Sequence, residues 1–293
     1  MNTDAESASP ALCRLQLASE LRQLRLAAGL TGSQVVDRML WSASKITRLE
    51  TAENAVVEPS DVIALCEMYG ADSETRSQLE TYAAVTKTKR DWWQSKEYRQ
   101  AIKPSFRAYL RLEAAASALQ TYQSEFVPGL LQTEEYVRGI YRRAHAGMSD
   151  DEIDRVIEIR MTRQEVLTRS ASPLKFSAII NEAVLRRSVG GVEVMRSQLQ
   201  HIAEVAVLPS VRVQVLPFRA GAHAGMDGAF ALLRFREGGL KPIIYLENLT
   251  NALVHRQEED VERYGDAFTD LQSLAPGPEE SLGVIKEAIK EWQ

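Results

Sequence analysis

Three short side chains stand in a row at Ser42, Ala43 and Ser44, and Lys45, Thr47 and Arg48 follow at once. The chemistry open to such a set is contact with a nucleic-acid duplex. Short residues let a backbone approach base edges. A threonine hydroxyl donates or accepts while its methyl touches thymine, and a lysine or arginine neutralises phosphate or forks onto guanine. Upstream, Ser33 and Gln34 add two polar groups of the kind that meet a sugar-phosphate backbone. Other chemistry is sparse. No Gly-x-Ser-x-Gly elbow, phosphate-binding Gly-Lys loop or His-Glu-x-x-His pair occurs. The four histidines, His145, His201, His223 and His255, are far apart in sequence. The expectation is therefore no catalytic residue, no enzyme activity, no metal site and no cofactor. Cys13 and Cys66 are too few for structural zinc and read as small buried hydrophobes.

The elements that must position this set are helices. Leu17, Leu21, Leu24 and Ala28 fall at i, i+4, i+7 and i+11, which predicts a helix over 14–28 stopped by Gly29. Thr31-Gly32-Ser33-Gln34 is a capping box for a second helix with Val35, Val36 and Met39 inside. Leu40 and Trp41 make a short link, and Ser42 is placed to cap a third helix in which Ile46 and Leu49 point inward. Pro59 and Ser60 open a fourth, carrying Val62, Leu65, Cys66 and Tyr69 and ended by Gly70. Asp72 or Ser73 caps a fifth, with Leu79, Tyr82 and Ala83 inside. The reading is a disordered tail over 1–13, a five-helix bundle over 14–85, and a linker over 86–105 in which Trp92 and Trp93 dock the head onto the second domain.

The remainder, 106–293, reads as one α+β domain, a small sheet flanked by helices. Helices are predicted near 106–118, 133–144, 149–170, 192–206, 257–274 and 279–292. Period-two alternation predicts strands through Leu174–Ile180, Val211–Val215, 229–236 and 242–247. Glycines at 238–239 suggest a hairpin between the last two. Pro128-Gly129-Leu130-Leu131-Gln132 reads as a folding turn rather than a ligand site. The glycine-rich loop around Arg219, His223, Met226 and Asp227 is the candidate for a ligand or partner contact.

The string from Leu21 to Gly70, above all Ser44-Lys45-Ile46-Thr47-Arg48-Leu49-Glu50, resembles the lambda-repressor-like (Xre-type) helix-turn-helix family. The resemblance implies a lambda-repressor-like bundle whose third helix reads the major groove, with base contacts on Ala43, Ser44 and Thr47 and backbone contacts on Ser42, Lys45 and Arg48. Two departures stand out. Gly32 replaces a glutamine that grips phosphate in the family, and Thr51-Ala52 stands where a glycine usually follows Leu-Glu. Farther on, Trp92-Trp93, Leu112–Ala115, Phe126–Tyr136, Val213–Phe218 and Gly228–Phe230 resemble an actinobacterial regulator family whose C-terminal domain has no assigned chemistry. That likeness implies a small partner protein, encoded nearby, binding the C-terminal domain.

The expected function is a sequence-specific DNA-binding transcription regulator, homodimeric, cytoplasmic and nucleoid-associated when bound to double-stranded DNA. The formal net charge of -5 means that DNA contact must come from a local patch. No run of about 18 apolar residues offers a membrane span. The alternative keeps the same head but places a small-molecule ligand in the C-terminal domain, making a one-component sensor. An apolar pocket of several hundred Å³ favours that alternative, and a filled core favours the protein partner. A hydrolase or transferase with a structural helical head, and an adaptor that has lost DNA binding, are the remaining competitors.

Overall fold

Proline costs a helix nothing at its first position, where its missing N–H would have had no partner. Pro10 opens the first helix, α1 (Pro10–Ala27). The computed structural model describes residues 10–52, 54, 56–88, 93, 98, 102, 104–169, 173–235, 241–248 and 252–292. The chain divides into two compact units, Met1–Ser95 with Phe235–Leu240, and Lys96–Arg234 with Lys241–Gln293.

The first unit holds α1, α2 (Gly32–Met39), α3 (Ala43–Glu50), α4 (Pro59–Tyr69) and α5 (Ser73–Thr88). Leu17, Leu21, Val35, Ile46, Leu49, Val62, Leu65, Cys66, Leu79 and Ala83 form its core, as the apolar stripes require. Gly29 and Gly70 take positive φ at helix ends, where a side chain would be strained. Two boundaries differ from expectation. Residues 10–13, assigned to a disordered tail, are the first turn of α1, and Ala11 and Cys13 are fully buried. The last helix runs three residues into the expected linker because Thr86 is a core residue. Its hydroxyl accepts from the Val57 N–H (3.0 Å) and donates to the Ala83 carbonyl (2.9 Å). Trp93 is buried, while Trp92 lies outside the described residues.

The second unit is α+β. After α6 (Pro104–Ala115) come β1 (Ala118–Gln123), α7 (Glu134–Ala144), α8 (Asp150–Gln164) and β2 (Lys175–Asn181). Next are α9 (Glu182–Arg186), α10 (Val192–Val205), β3 (Val211–Leu216), β4 (Phe230–Arg234), β5 (Ile243–Glu247) and β6 (Ala252–His255). Two helices close the unit, α11 (Glu258–Leu274) and α12 (Pro278–Glu291). The strands form one mixed sheet in the order β3-β2-β1-β4-β5-β6. Its first three strands are mutually parallel and the rest antiparallel, so the sense changes beside β1. Parallel neighbours need crossover connections, and α7–α8 and α9–α10 supply them. The glycines at 238–239 between β4 and β5 lie outside the described residues.

Alternation along the pleat gives the sheet two faces. On one, Tyr122, Ile179, Leu216 and Phe230 pack with Phe268 and Leu271 of α11. The opposite face carries Leu119, Thr121, Phe176, Ala231 and Tyr245, aligned by strand register. At the β3 edge the Val215 N–H donates to the Ser281 hydroxyl of α12 (3.0 Å), so a helix occupies an edge group that would otherwise invite another strand. Sequence periodicity missed β1, α9 and β6. The helix expected over 106–118 ends at Ala115, and a central strand begins three residues later. The helix expected over 149–170 ends at Gln164 and continues as a 3-10 turn, Glu165–Leu167. Among the described residues, no helix is long and apolar enough to cross a membrane.

Candidate nucleic-acid interface

The capping box at Thr31 forms as its spacing demands. The Gln34 N–H donates to the Thr31 hydroxyl (3.2 Å) and the Thr31 N–H to Gln34 Oε1 (2.8 Å). With its oxygen held this way, the Gln34 carboxamide keeps its NH₂ donors free to face outward. Leu40 ends α2 in the left-handed region (φ 54) and is 91% exposed. Ser42 then starts α3 in extended backbone, but its hydroxyl meets the Ser44 hydroxyl (3.0 Å) instead of capping the helix. The first N–H groups of α3 therefore have no side-chain cap, which leaves donors at an exposed helix start.

Ile46 and Leu49 of α3 are buried, while Ser42, Ala43, Ser44, Thr47 and Arg48 are exposed. Ser33 and Gln34 are exposed at the start of α2. A groove of about 360 Å³ runs between the two helices, and Ser33, Ala43 and Thr47 line it with Gly32, Val36 and Asp37. Of the sequence-predicted set, Ser33, Ala43 and Thr47 share this groove, Gln34, Ser42, Ser44 and Arg48 are exposed outside its lining, and Lys45 is half-buried. That side chain is engaged elsewhere: its Nζ lies 2.8 Å from Asp61 Oδ2 of α4 and 3.7 Å above the Trp41 ring. Arg48 has no ion-pair partner among the described residues.

Glu50 follows two residues later and would oppose a phosphate, but Arg25 neutralises it. The guanidinium donates to both carboxylate oxygens (2.6 and 2.8 Å) and to the Leu30 carbonyl (2.7 Å), bracing α1 against α3. Hydrogen bonding to Glu50 raises the Arg25 pKa further above its usual value. Burial, helped by the Glu50 charge, pushes the neighbouring Tyr69 hydroxyl up to about 12. Gly32 is not sterically required: a Cβ there would meet only Ile46 Cγ2, at 3.9 Å. Past Leu49-Glu50, the left-handed turn is made by Ala52 (φ 58).

In the second unit, the loop bearing Arg219, His223, Met226 and Asp227 is pinned to the sheet. His223 Nδ1 accepts from the Gly225 N–H (3.1 Å), and its ring meets Tyr122 edge-on at 5.6 Å. A Cβ at position 225 would stand 2.5 Å from the Tyr122 ring, so only glycine permits this approach. Arg219, Met226 and Asp227 are exposed, and none of the four lines the large cavity of this unit.

A cavity of about 700 Å³ does exist in this unit, on the opposite sheet face, and the sequence reading missed it. Leu119, Phe176, Tyr245, Phe106, Tyr109 and Arg163 are among its walls. At its base Arg163 donates to both oxygens of Glu113 (2.5 and 2.8 Å) and its guanidinium lies 5.1 Å from the Tyr109 ring. Burial works to discharge Arg163, but Glu113 outweighs it and keeps the guanidinium charged. Burial and the Glu113 charge push the Tyr109 hydroxyl well above its ordinary pKa. One signal was present in the sequence: α8 buries Ile153, Val156, Ile157 and Ile159 and sets an arginine, Arg163, on that same buried stripe.

Comparison with known families bears on both units. The family model described as "Domain of unknown function (DUF5753)" matches residues 106–287, and one described as "Helix-turn-helix domain" matches residues 16–79. No curated protein and no solved structure matches the chain.

Proposed function

The chain belongs to the DUF5753 family and carries a helix-turn-helix domain ahead of that region; from that premise we propose a sequence-specific transcription regulator of the lambda-repressor-like type, with α3 as its reading helix. The observation that carries this reading is the outward side of α3, exposed and short-chained at Ser42, Ala43, Ser44 and Thr47 while Ile46 and Leu49 anchor the helix from behind. A helix of that shape fits a major groove about 12 Å wide. Ala43, Ser44 and Thr47 meet base edges. Arg48, Ser42, Ser33 and the Gln34 amide meet phosphates. Lys45 holds α3 to α4. The regulator works as a homodimer, since paired heads on half-sites about 34 Å apart give specificity that one short helix lacks.

The C-terminal unit receives the signal. Resemblance favours a small partner protein as the source. The cavity supports the second reading, a small-molecule sensor, because its volume falls in the range of about 300–1,000 Å³ that ligands occupy. Selection of bound duplexes from a random pool with the full chain tests the head. The expected result is an enriched two-fold symmetric site with half-sites one or more helical turns apart. Recovery of unenriched sequence overturns the proposal.

A further inference from the structure

A well-packed core satisfies its polar groups, because a buried donor or acceptor without a partner costs about 1–3 kcal/mol. The cavity of the second unit breaks that rule twice. Tyr245 is 6% exposed and lines the cavity, yet its buried hydroxyl has no hydrogen-bond partner among the described residues. Arg160 also lines it. Its Nε is buried, likewise without a partner among the described residues. Its other nitrogens reach only neutral groups, Gln132 Oε1 (2.9 Å) and the Tyr141 hydroxyl (3.4 Å), and among the described residues no carboxylate pairs with it.

On the inner wall of the cavity one cation lacks a counter-charge among the described residues. Arg163 and Glu113 cancel one another. A Cβ placed on Gly129 would stand 2.9 Å from Arg163 Nη1 and 3.4 Å from Arg160 Nη1, so two guanidiniums approach one point, and of the two only Arg163 has a carboxylate partner among the described residues. The acidic groups at the rim do not complete the set: Glu125 is ion-paired with Arg187 (2.6 Å), and Glu247 is exposed. His145 is exposed at the rim and stacked on Tyr141. The inner wall thus holds one guanidinium without a counter-charge and one donor without an acceptor, in a space lined by aromatic and aliphatic side chains together with Thr121, Gln123, Ser124, Gln132 and Asn248.

We propose that this cavity binds a small organic anion with an apolar body, its charge held by Arg160 and a second acceptor taken by the Tyr245 hydroxyl. Apolar walls supply affinity through the area removed from water. The two polar groups fix orientation and select for charge, as convergent polar groups do in ligand pockets. The binding claim stands apart from DNA recognition; only the ligand's role as the regulator's signal rests on that reading.

Two fluorescent probes share one apolar skeleton: 8-anilinonaphthalene-1-sulfonate is an anion, and N-phenyl-1-naphthylamine is its neutral counterpart. Titrated into the full chain, the anion is expected to bind saturably at one site and more tightly than the neutral probe. Arg160→Gln should weaken the anion about tenfold or more, the weight of a hydrogen bond to a charged group, and leave the neutral probe within about twofold. Tyr245→Phe removes only the unpartnered hydroxyl. It should raise the Tm of the free protein and weaken the anion several-fold. Ala231→Trp, filling the space from β4, should abolish both. Equal binding of the two probes, equal loss of both in Arg160→Gln, or anion binding that survives Ala231→Trp overturns the proposal. Since no DNA enters these titrations, their failure leaves the reading of α3 standing.

Discussion

The two units handle polar groups in opposite ways. Around α3 two charges are cancelled inside the head: Lys45 by Asp61 and the Trp41 ring, Glu50 by the bidentate Arg25. Arg48 and Asp37, which have no ion-pair partner among the described residues, are exposed to solvent. In the C-terminal unit two of the buried groups without a partner among the described residues, the Tyr245 hydroxyl and Arg160 Nε, belong to residues that line the cavity. A saturated scaffold with its free groups outside is built to meet a large partner. An unsaturated interior is built to be completed by something small. The contrast yields tests that grade from the core outward.

The largest effect is expected at the Glu113–Arg163 pair, 1% and 8% exposed at the side chains. Glu113→Gln leaves a buried guanidinium without its counter-charge, a change that costs about 3–5 kcal/mol. Urea unfolding reads this directly. A loss under about 1 kcal/mol, the scale of an exposed pair, would mean that water reaches the cavity base and that the inward deficit is illusory. Next comes the head. Arg48→Ala should weaken binding to the selected duplex by about 1–3 kcal/mol in a gel-shift titration. Lys45→Ala should cost less, because its ammonium is already committed to Asp61. The reverse ranking would show that Lys45 leaves Asp61 for phosphate and that the head is less saturated than its free geometry implies.

The same contrast explains what the sequence disclosed. The head was legible because its signals are local. Thr31 and Gln34 lie three residues apart, Gly70 sits at the helix end it terminates, and Ile46 and Leu49 mark the buried side of α3. Even there, the Lys45–Asp61 pair joins two helices, and spacing within α3 alone gives no sign of it. The cavity was illegible because its parts come from remote elements: Tyr245 from β5, Arg160 from α8, Glu113 from α6. Strand β1 escaped notice because Gln120, Thr121 and Gln123 blur the alternation, although Thr121 is buried and its hydroxyl donates to the Phe230 carbonyl (2.9 Å). The glycine-rich loop attracted attention for its composition, yet Gly225 is there so that the chain can lie against Tyr122.

Two smaller effects probe the helix-turn-helix itself. Leu40 holds φ 54 with its side chain 91% exposed, so Leu40→Gly gives up almost no packing. Relief of a left-handed conformation, worth roughly 1–2 kcal/mol, is offset in part by glycine's greater freedom in the unfolded chain. The net expectation is a gain of about 1 kcal/mol or less, read as a higher midpoint in denaturant.

Gly32 offers the finest test, because it separates what α2 does for folding from what it does for DNA. The site takes ordinary helical backbone, with only Ile46 Cγ2 near a built Cβ at 3.9 Å, so a longer side chain fits without displacing the groove. Gly32→Gln should raise head stability by up to about 1 kcal/mol through helix propensity alone. If the α2 start lies along the duplex, the added amide should also gain a phosphate contact, tightening the complex by about 1 kcal/mol. Such a contact adds a neutral donor, so the slope of affinity against salt should stay unchanged, since that slope counts phosphates neutralised by cations. Stability that rises while affinity does not move would place the start of α2 away from the backbone and shift the whole docking onto α3.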